Sequence, residues 1–246
     1  MVTELAAPKF VRRAVSYGDA VYSKTATVEG ITAQLVEHND IYPDAIIPVV
    51  CDETKTTINA LNPVIVVDAR MEKNRRDTTI DDARLVIALG PGYIAGKDCH
   101  AVIETKRGHT LGRVIIEGTA EADTGVPGAV AGEVHNRLLR APADGYVQSQ
   151  LNIGDDVYAG QIVGTVDDVE IVASIAGVLR GLISSQVAVT KGMKIGDIDP
   201  RGQRDHCFTI SDKSLAVGGG VLEAVFSAKR VVRFLHTGDY ETTAGV

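Results

Sequence analysis

The fold is decided between Leu138 and Pro200, a stretch that begins LLRAPADGYVQSQLNIGDDVYAGQIVGTVDDV at Leu138. The residues that follow repeat its pattern at a constant shift of 32 positions. The matched pairs are Ala141 with Ala173, Gly145 with Gly177, Val157 with Val189, Gly160 with Gly192 and Gly164 with Gly196. Each copy is too short to bury its own apolar face, so we expect the two halves to pack on each other about a pseudo-twofold axis.

The first copy resembles the half-barrel of biotin- and lipoate-carrying domains, and the matching residues are Ala141–Val147, Gly154–Val157 and Gly160-Gln161. In those domains the modified lysine lies on the hairpin that joins the halves. Here that hairpin, Val166–Ile171, carries Asp167, Asp168 and Glu170 and no amine. Met193-Lys194-Ile195 imitates a carrier motif but aligns with a strand of the first copy. The resemblance therefore implies a barrel-sandwich module without covalent biotin or lipoate, whose acidic tip suits a basic partner surface.

The composition is that of a globular protein and disfavours several classes of partner. The chain has 246 residues, of which 45% are hydrophobic and 4% aromatic, with no tryptophan and a net charge of −7. An acidic surface poor in aromatic residues argues against nucleic acid and anionic membranes as partners. Three widely spaced cysteines without a CxxC pattern, and no signal peptide or long apolar run, predict a cytoplasmic protein.

The first part of the chain reads as alternating strands and helices. Ile46–Cys51 and Val64–Val67 are apolar and β-branched, and the helix-compatible Asp52–Leu61 lies between them, which predicts a βαβ unit in a parallel sheet. Glu29-Gly30 predicts a hairpin turn, and the glycine-rich Glu121–Glu133 predicts a linker.

These patterns predict an α/β plus all-β protein in three segments. We expect a Rossmann-like parallel-sheet domain over 1–134 and the duplicated barrel-sandwich module over 135–202. The last segment, 203–246, should return to the α/β domain.

Two sets of residues follow predicted strands, where ligands bind in open α/β sheets. Asp68 and Arg70 come directly after Val64–Val67, and we expect them either to contact a ligand or to form an internal salt bridge. Gly90 and Gly92 follow another apolar strand and allow a phosphate to approach the backbone. Their GxGxxxG spacing and the intervening proline favour the alternative of a plain tight loop. Both sets are candidate cofactor-binding residues.

A further candidate anion site lies near the C-terminus. Gly218, Gly219 and Gly220 precede the helix-like Val221–Phe226, so three backbone N–H groups at a helix N-terminus would form an anion-binding nest beside the positive charge of Lys213. The lysine precedes the glycines, which excludes a P-loop. A flexible connector back to the first domain is the equally weighted alternative.

Cys99 and Cys207 are the candidate catalytic residues, because a thiolate can form a bond to sulfur or selenium. Their wide spacing favours the alternative that both are buried small apolar residues. His100 and His109 lie near Cys99 and have ligand capacity. No pair of cysteine and histidine residues has metal-ligand spacing, so no metal site is predicted.

Many ordered motifs across nearly the whole chain resemble the accessory proteins of the selenium-dependent molybdenum hydroxylase system. They include Asp68-Ala69-Arg70-Met71, Leu89–Gly92, Asp98–Thr105, Arg107-Gly108-His109, Thr124–Gly128, Lys194–Arg201 and Cys207–Lys213. The resemblance implies a maturation factor for a selenium-containing molybdenum hydroxylase, with that client enzyme as partner and a molybdopterin-type or other nucleotide as cofactor. It leaves open whether the protein forms homo-oligomers and whether it is an enzyme.

Members of that family open with a strand, a glycine-rich turn and a helix, whereas this chain begins Met1-Val2-Thr3-Glu4. About 25 residues of a dinucleotide fold are therefore expected to be absent, and Glu4 would lie where an acidic residue meets a ribose hydroxyl. The leading hypothesis is a non-redox accessory factor that binds a molybdopterin-type nucleotide or a selenium or sulfur donor. The second is an NAD(P)-dependent oxidoreductase, which the predicted βαβ unit and Glu4 motivate. The third is a docking protein without catalysis, which follows from the barrel that lacks a carrier lysine.

Overall fold

The computed structural model describes residues 2–3, 13–37, 46–52, 54–71, 77–123 and 130–237. They form a mixed α/β protein with several sheets, in which strands predominate. The chain divides into two compact units: Met1–Thr57 with Val126–Ile210, and Ile58–Gly125 with Ser211–Val246. The residues expected to form one α/β domain over 1–134 are thus shared between the two units.

The strands, in chain order, are β1 Val2–Thr3, β2 Thr25–Val28, β3 Ile31–Leu35, β4 Ile47–Cys51, β5 Ile65–Asp68, β6 Leu85–Leu89, β7 Ala101–Ile103, β8 Val114–Ile115, β9 Leu138–Arg140, β10 Gly145–Gln148, β11 Asp156–Val157, β12 Ile162–Val166, β13 Val169–Val172, β14 Gly177–Leu182, β15 Ala188–Val189 and β16 Lys194–Asp199. The α-helices are α1 Ala20–Ser23, α2 Thr56–Leu61, α3 Asp212–Ser227 and α4 Lys229–Thr237, and short 3-10 turns lie at Tyr17–Asp19, Ile80–Asp82 and Arg204–Cys207. Within the described part of the chain, no helix is both long and apolar enough to cross a bilayer.

The duplicated stretch forms two four-stranded antiparallel sheets. Their strand orders are β13-β12-β10-β15 and β11-β14-β16-β9. A shift of 32 positions relates β9 to β13, β10 to β14, β11 to β15 and β12 to β16. In every pair the two strands belong to different sheets, so the repeat relates one sheet to the other. Each sheet therefore contains strands from both copies, and neither copy completes a sheet alone.

The irregularities of these sheets repeat as well. A β-bulge lies between Ile162 and Gly164 in the first copy and between Lys194 and Gly196 in the second, again 32 positions apart. A Cβ atom at Gly164 would collide with the carbonyl oxygen of Gln148, and one at Gly196 would lie 2.6 Å from that of Gly181. The repeated glycines are required because a neighbouring backbone passes too close for a side chain.

One hydrophobic core serves both copies of the repeat. Its buried members come from the two sheets alike: Leu139, Ala141, Val147, Val157, Val163, Val166, Ile171, Ala173, Leu179, Ile183, Val187, Val189, Ile195 and Ile198. Val147 and Leu179, which are also 32 positions apart, are both buried in it. The sharing of one core by the two halves is confirmed.

A third four-stranded sheet in the same unit has the order β1-β4-β3-β2. Strands β1, β4 and β3 are parallel, and β2 pairs with β3 in the antiparallel sense. Glu29 and Gly30 connect β2 to β3 with positive φ angles of 48° and 84°, the conformation of a tight hairpin turn. The predicted hairpin is confirmed.

The other unit contains the sheet β5-β6-β7-β8, in which the first three strands are parallel and β8 is antiparallel to β7. Alternate residues of β6 point to opposite faces. Leu85 and Ile87 pack with Val217 and Ala224 of α3. Val86 and Ala88 belong to a second cluster on the other face, whose remaining buried members are Tyr93, Ala95, Cys99, Val102 and Ala120.

The predicted βαβ unit is wrong. Strands β4 and β5 belong to different sheets, although α2 lies between them in the sequence. Strand β4 has a parallel partner on each side, β1 and β3, so no edge remains for β5. Strand β5 instead pairs with β6. Two apolar runs around a helix do not specify which edges pair, because the choice of partner is non-local.

The expectation that Gly218–Gly220 precede a helix is also wrong. Helix α3 begins at Asp212, where the Ser211 side chain accepts a hydrogen bond from Ser214 N, so the glycines lie in its interior. Their N–H groups are therefore within the helix and form no anion nest. Gly220 is buried because the backbone of Gly112 packs against it, and a Cβ there would collide with the Gly112 carbonyl oxygen.

This packing predicts opposite effects for two adjacent substitutions in α3. Gly219 is exposed, with no atom near the position of an added Cβ, so Gly219→Ala should stabilise the helix by about 0.5–1 kcal/mol. Gly220→Ala should destabilise the unit by about 1–3 kcal/mol, because the added methyl group overpacks the contact with Gly112. Urea unfolding followed by circular dichroism measures both. Equal changes in the two variants would contradict the packing described for Gly220.

Candidate functional site

The predicted ligand-binding edge of the sheet lies at the carboxyl end of β5. Asp68, the last residue of that strand, is buried, and its carboxylate accepts four side-chain hydrogen bonds. Tyr93 Oη donates to it at 2.6 Å and Thr78 Oγ1 at 2.7 Å, while Arg70 donates through Nη2 at 2.7 Å and Nε at 3.2 Å. The Arg70 backbone N–H also donates to Asp68, at 3.0 Å.

Arg70 is equally committed to residues of the same unit. Its Nη2 donates to Asp77 Oδ1 at 2.6 Å and to Thr78 Oγ1 at 2.9 Å, besides the bond to Asp68. Of the two outcomes expected for Asp68 and Arg70, the structure has the internal salt bridge. A ligand at this edge would have to compete with it.

The electrostatics of this network follow from its geometry. Burial would raise the pKa of Asp68, but the hydrogen bonds from Arg70, Tyr93 and Thr78 outweigh it and hold that pKa well below its ordinary value. The hydrogen bond with Asp68 raises the pKa of Arg70. Burial and the Asp68 carboxylate raise the pKa of Tyr93 to about 12. The network is thus a charged, fully paired cluster at neutral pH.

Gly90 and Gly92 form the turn after β6, with φ angles of 76° and 117°. The Gly90 N–H donates to the carbonyl oxygen of Ile103 at 2.9 Å, so it is already engaged. A Cβ at Gly90 would lie 2.7 Å from Thr105 Oγ1. The tight-loop alternative accounts for Gly90, whose N–H is engaged within the fold.

Glu104 is a buried carboxylate that the sequence did not single out. It follows β7, and its two oxygens accept the backbone N–H groups of Lys106 at 2.7 Å and Glu121 at 2.8 Å. These bonds fix the two chain segments beside the strand end. Its position directly after the apolar run Ala101–Ile103 is the sequence signal that could have identified it.

Lys213 lies in the first turn of α3. Its neighbour Asp212 forms a two-bond pair with Arg107, at 2.6 Å and 2.9 Å. Lys213 is partly buried and makes no hydrogen bond or ion pair with any described residue. Burial lowers its pKa, and Arg107 lowers it further. Of the predicted cofactor-binding cations, Lys213 is therefore the one left without an ion-pair partner among the described residues.

Both candidate thiols are buried. Cys99 is inaccessible, its Sγ donates to the Ala101 carbonyl oxygen at 3.3 Å, and burial followed by the charge of Asp98 raises its pKa to about 11. Cys207 Sγ lies 3.9 Å from the Leu179 carbonyl oxygen, and burial raises its pKa too. A reactive thiol is exposed and ionised, so this geometry favours the alternative of packed small residues.

The two histidines have different surroundings. His100 Nδ1 accepts the backbone N–H of Val86 at 2.9 Å, whereas His109 is exposed. Over the described ranges, no three His, Cys, Asp or Glu side chains converge as metal ligands. His100 also lines a cleft of about 410 Å³ at the amino ends of β5 and β6, opposite to the predicted edge. Glu4, proposed to meet a ribose, lies outside the described residues.

Comparison with known proteins gives one related sequence. The chain is 44% identical over 229 residues to the uncharacterized protein YqeB of Escherichia coli (strain K12). The alignment covers 92% of this chain and 42% of that relative, so the chain spans less than half the length of the curated relative it matches. No family model matches the sequence.

Solved structures give partial likenesses only. A succinylglutamate desuccinylase/aspartoacylase from Rhodobacter sphaeroides is 25% identical, with a TM-score of 0.24, over 35% of this chain and 29% of that protein. The ectoine utilization protein EutE (DoeB) from Ruegeria pomeroyi is 15% identical, with a TM-score of 0.24, over 33% of this chain and 27% of that protein.

The Asp68 network predicts a pH-dependent loss of stability. Asp68→Asn should lower the free energy of unfolding by about 3 kcal/mol at pH 7, because it leaves the Arg70 guanidinium with a weaker acceptor. The folded pKa of Asp68 lies below the unfolded value of about 4, so its contribution is complete above about pH 5 and declines as the pH falls below 4. Urea unfolding at several pH values measures it. The exposed Asp81→Asn is the control, and a difference from wild type that stays constant with pH would refute the assignment.

Proposed function

We propose that this chain is an accessory factor in the maturation of a selenium-dependent molybdenum hydroxylase, and that it acts by binding and docking. The proposal rests on the ordered motifs that resemble that system across nearly the whole sequence. Its proposed ligand is a molybdopterin-type nucleotide or a selenium or sulfur donor, and its proposed partner is the client hydroxylase. Lys213, a cation without an ion pair among the described residues, is the residue of the second unit best suited to attract an anionic ligand.

We also propose finer fold assignments for the two parts. The exchange of two four-stranded sheets by the repeat supports a barrel-sandwich module of the biotinyl and lipoyl kind. The parallel arrangement of β5, β6 and β7, covered on one face by α3, supports a Rossmann-like origin for the second unit.

The observation that carries the docking role is the hairpin between β12 and β13. Asp167, Asp168 and Glu170 are exposed at its tip, and no amine is present to carry a cofactor. Asp167 has a φ angle of 48° and accepts the Tyr146 N–H at 3.2 Å, which fixes the direction of the tip. The carboxylates therefore form a positioned acidic surface.

Exposed apolar side chains also lie on the two strands of this hairpin. Ile162 and Val172 form a cross-strand pair on the outer face of the sheet, and both are about half exposed. Val169, next to the tip, is exposed to a similar degree. Exposed apolar side chains near charged ones are typical of a protein interface. We infer that the client presents a complementary surface that is basic where it meets the tip.

Charge reversal at the tip tests this role. The double variant Asp168→Lys with Glu170→Lys should reduce capture of the molybdenum hydroxylase from selenium-replete host cells at least tenfold, because like charges would then face each other. The binding rate of the wild type should fall as salt is raised. Asp156→Lys is the matched control, since Asp156 is an exposed carboxylate of the same module away from the tip. If both variants captured the hydroxylase equally, the tip would not be the docking surface.

A thiol-independent role predicts the outcome of cysteine substitution. Cys99→Ser and Cys207→Ser should each restore client activity in a deletion strain to at least half of the wild-type level, because both thiols are buried and protonated at neutral pH. Serine keeps a donor for the carbonyl oxygens that the two thiols face. Activity of the hydroxylase per unit of soluble accessory protein is the measurement. Loss of client activity with normal accumulation of the variant would restore the proposal of thiol chemistry.

A further inference from the structure

Two buried carboxylates in the second half of the module are surrounded by arginines. Asp197 and Asp199, both on β16, are each 1% exposed. Asp197 Oδ2 accepts hydrogen bonds from Arg13 Nη2 at 2.8 Å and Arg137 Nη1 at 3.0 Å. Asp199 Oδ2 accepts from Arg180 Nη1 at 3.1 Å. Each carboxylate is thus paired with cations from other segments of the chain.

Two further cations complete the group. Arg201 binds Asp199 through Nη2 at 2.6 Å and Nε at 2.9 Å. Lys194 lies on the same strand as both aspartates and makes no hydrogen bond or ion pair with any described residue. Burial lowers its pKa, the Asp197 carboxylate partly offsets this effect, and Arg13 and Arg137 lower the pKa further. We call these residues the Arg–Asp cluster, whose members are Arg13, Arg137, Arg180, Lys194, Asp197, Asp199 and Arg201.

In one ion pair of the cluster, each partner has a buried polar atom that makes no hydrogen bond with any described residue. Arg13 Nη1 is a donor without an acceptor, and Asp197 Oδ1 is an acceptor without a donor. Each unsatisfied buried atom of this kind costs about 1–3 kcal/mol. Both atoms belong to one ion pair, so a single small group that both accepts and donates hydrogen bonds could satisfy them together.

The first half of the module shows that the fold does not need these charges. At a shift of 32 positions, Arg180 corresponds to Gln148, Lys194 to Ile162, Asp197 to Thr165 and Arg201 to Val169. The equivalent strands β10, β12 and β13 form the same pairings and the same bulge without a cation at these positions. Buried charges are costly compared with apolar residues in the same place. Their presence in one copy alone therefore indicates a role beyond folding.

We infer that the Arg–Asp cluster binds a phosphate-type oxyanion, either inorganic phosphate or the phosphate of a monoester. The free Lys194 ammonium and the unpaired Arg13 N–H supply charge and a donor to its oxygens. A protonated phosphate oxygen would donate to Asp197 Oδ1, which a carboxylate ligand cannot do. The side chains of Arg13 and Arg201 are 34% and 39% exposed, so the cluster opens to solvent.

Calorimetric titration of the 246-residue chain with inorganic phosphate, in phosphate-free buffer at constant ionic strength, tests the site. The wild type should bind phosphate at least tenfold more tightly than sulfate, because sulfate carries no proton at neutral pH and would set an oxygen against Asp197 Oδ1. Lys194→Gln should weaken phosphate binding at least tenfold. Lys191→Gln, which removes an exposed lysine from the same module, should bind phosphate as the wild type does.

The outcomes separate the site from a general effect of charge. Phosphate binding that is no tighter than sulfate binding, or that is unchanged in Lys194→Gln, would overturn the inference. Lys194→Arg keeps the positive charge and should recover most of the affinity, which separates loss of the ligand from loss of the fold. Circular dichroism of each variant measures folding directly.

A parallel titration with adenosine monophosphate distinguishes the two sources of phosphate. Tighter binding of the monoester than of inorganic phosphate, lost in Lys194→Gln, assigns the site to a phosphorylated metabolite or nucleotide. Binding of inorganic phosphate alone assigns it to the free ion. Binding of neither contradicts the inference and leaves the docking role of the acidic hairpin unaffected, because that role is measured by capture of the client.

Discussion

The structure depends on one constraint: neither copy of the 32-residue repeat completes a four-stranded sheet without strands of the other. Strand β11 of the first copy completes the sheet of β14 and β16, and β15 of the second completes the sheet of β10 and β12. Equivalent interior positions of the two copies therefore have the same kind of surroundings. For this reason apolar residues, bulges and close-approach glycines recur at equal spacing. Residues at the ends of the strands and on the outer faces are free of that requirement. Differences between the copies accumulate there, and those differences are where specific function can arise.

Equivalent carboxylates in the two copies have opposite surroundings. Asp167 and Asp199 are equivalent in the repeat, yet the first lies at an exposed hairpin and the second is buried between arginines. The exposed carboxylates extend their field into solvent, which suits a basic partner at long range. The buried carboxylate holds guanidinium groups in fixed positions, which suits a small anion at short range. One duplicated scaffold thus presents an acidic surface from one copy and a cationic one from the other.

Local signals allowed the sequence to predict part of this arrangement, and non-local contacts explain the rest. The repeat and the Glu29-Gly30 hairpin were predictable because spacing and turn residues determine them. The βαβ unit failed because edge pairing of β4 depends on β1 and β3, which the local pattern does not contain. The start of helix α3 was predicted too late because glycines are rare inside helices. Gly220 lies inside this one because its packing against Gly112 leaves no room for a side chain. For Asp68 and Arg70 the sequence left two alternatives, a ligand contact or an internal salt bridge, and the structure has the salt bridge. The Arg–Asp cluster was missed because Arg13 and Asp197 are 184 residues apart.

In the second unit, the charged groups at the carboxyl end of β5, where a ligand was expected, are already paired with each other. Asp68 and Arg70 satisfy each other and are held by Thr78, Tyr93 and Asp77, so an anion that recruited Arg70 would leave a buried carboxylate unpaired. That loss amounts to about 3–5 kcal/mol, comparable to the binding energy of a weakly bound ligand. The network is thus better suited to hold the chain after β5 than to recognise a substrate. Charges without an ion-pair partner among the described residues include Lys213, the acidic hairpin and Lys194 of the Arg–Asp cluster. Two of these three lie in the duplicated module, so the proposed binding roles fall mainly on that part of the protein.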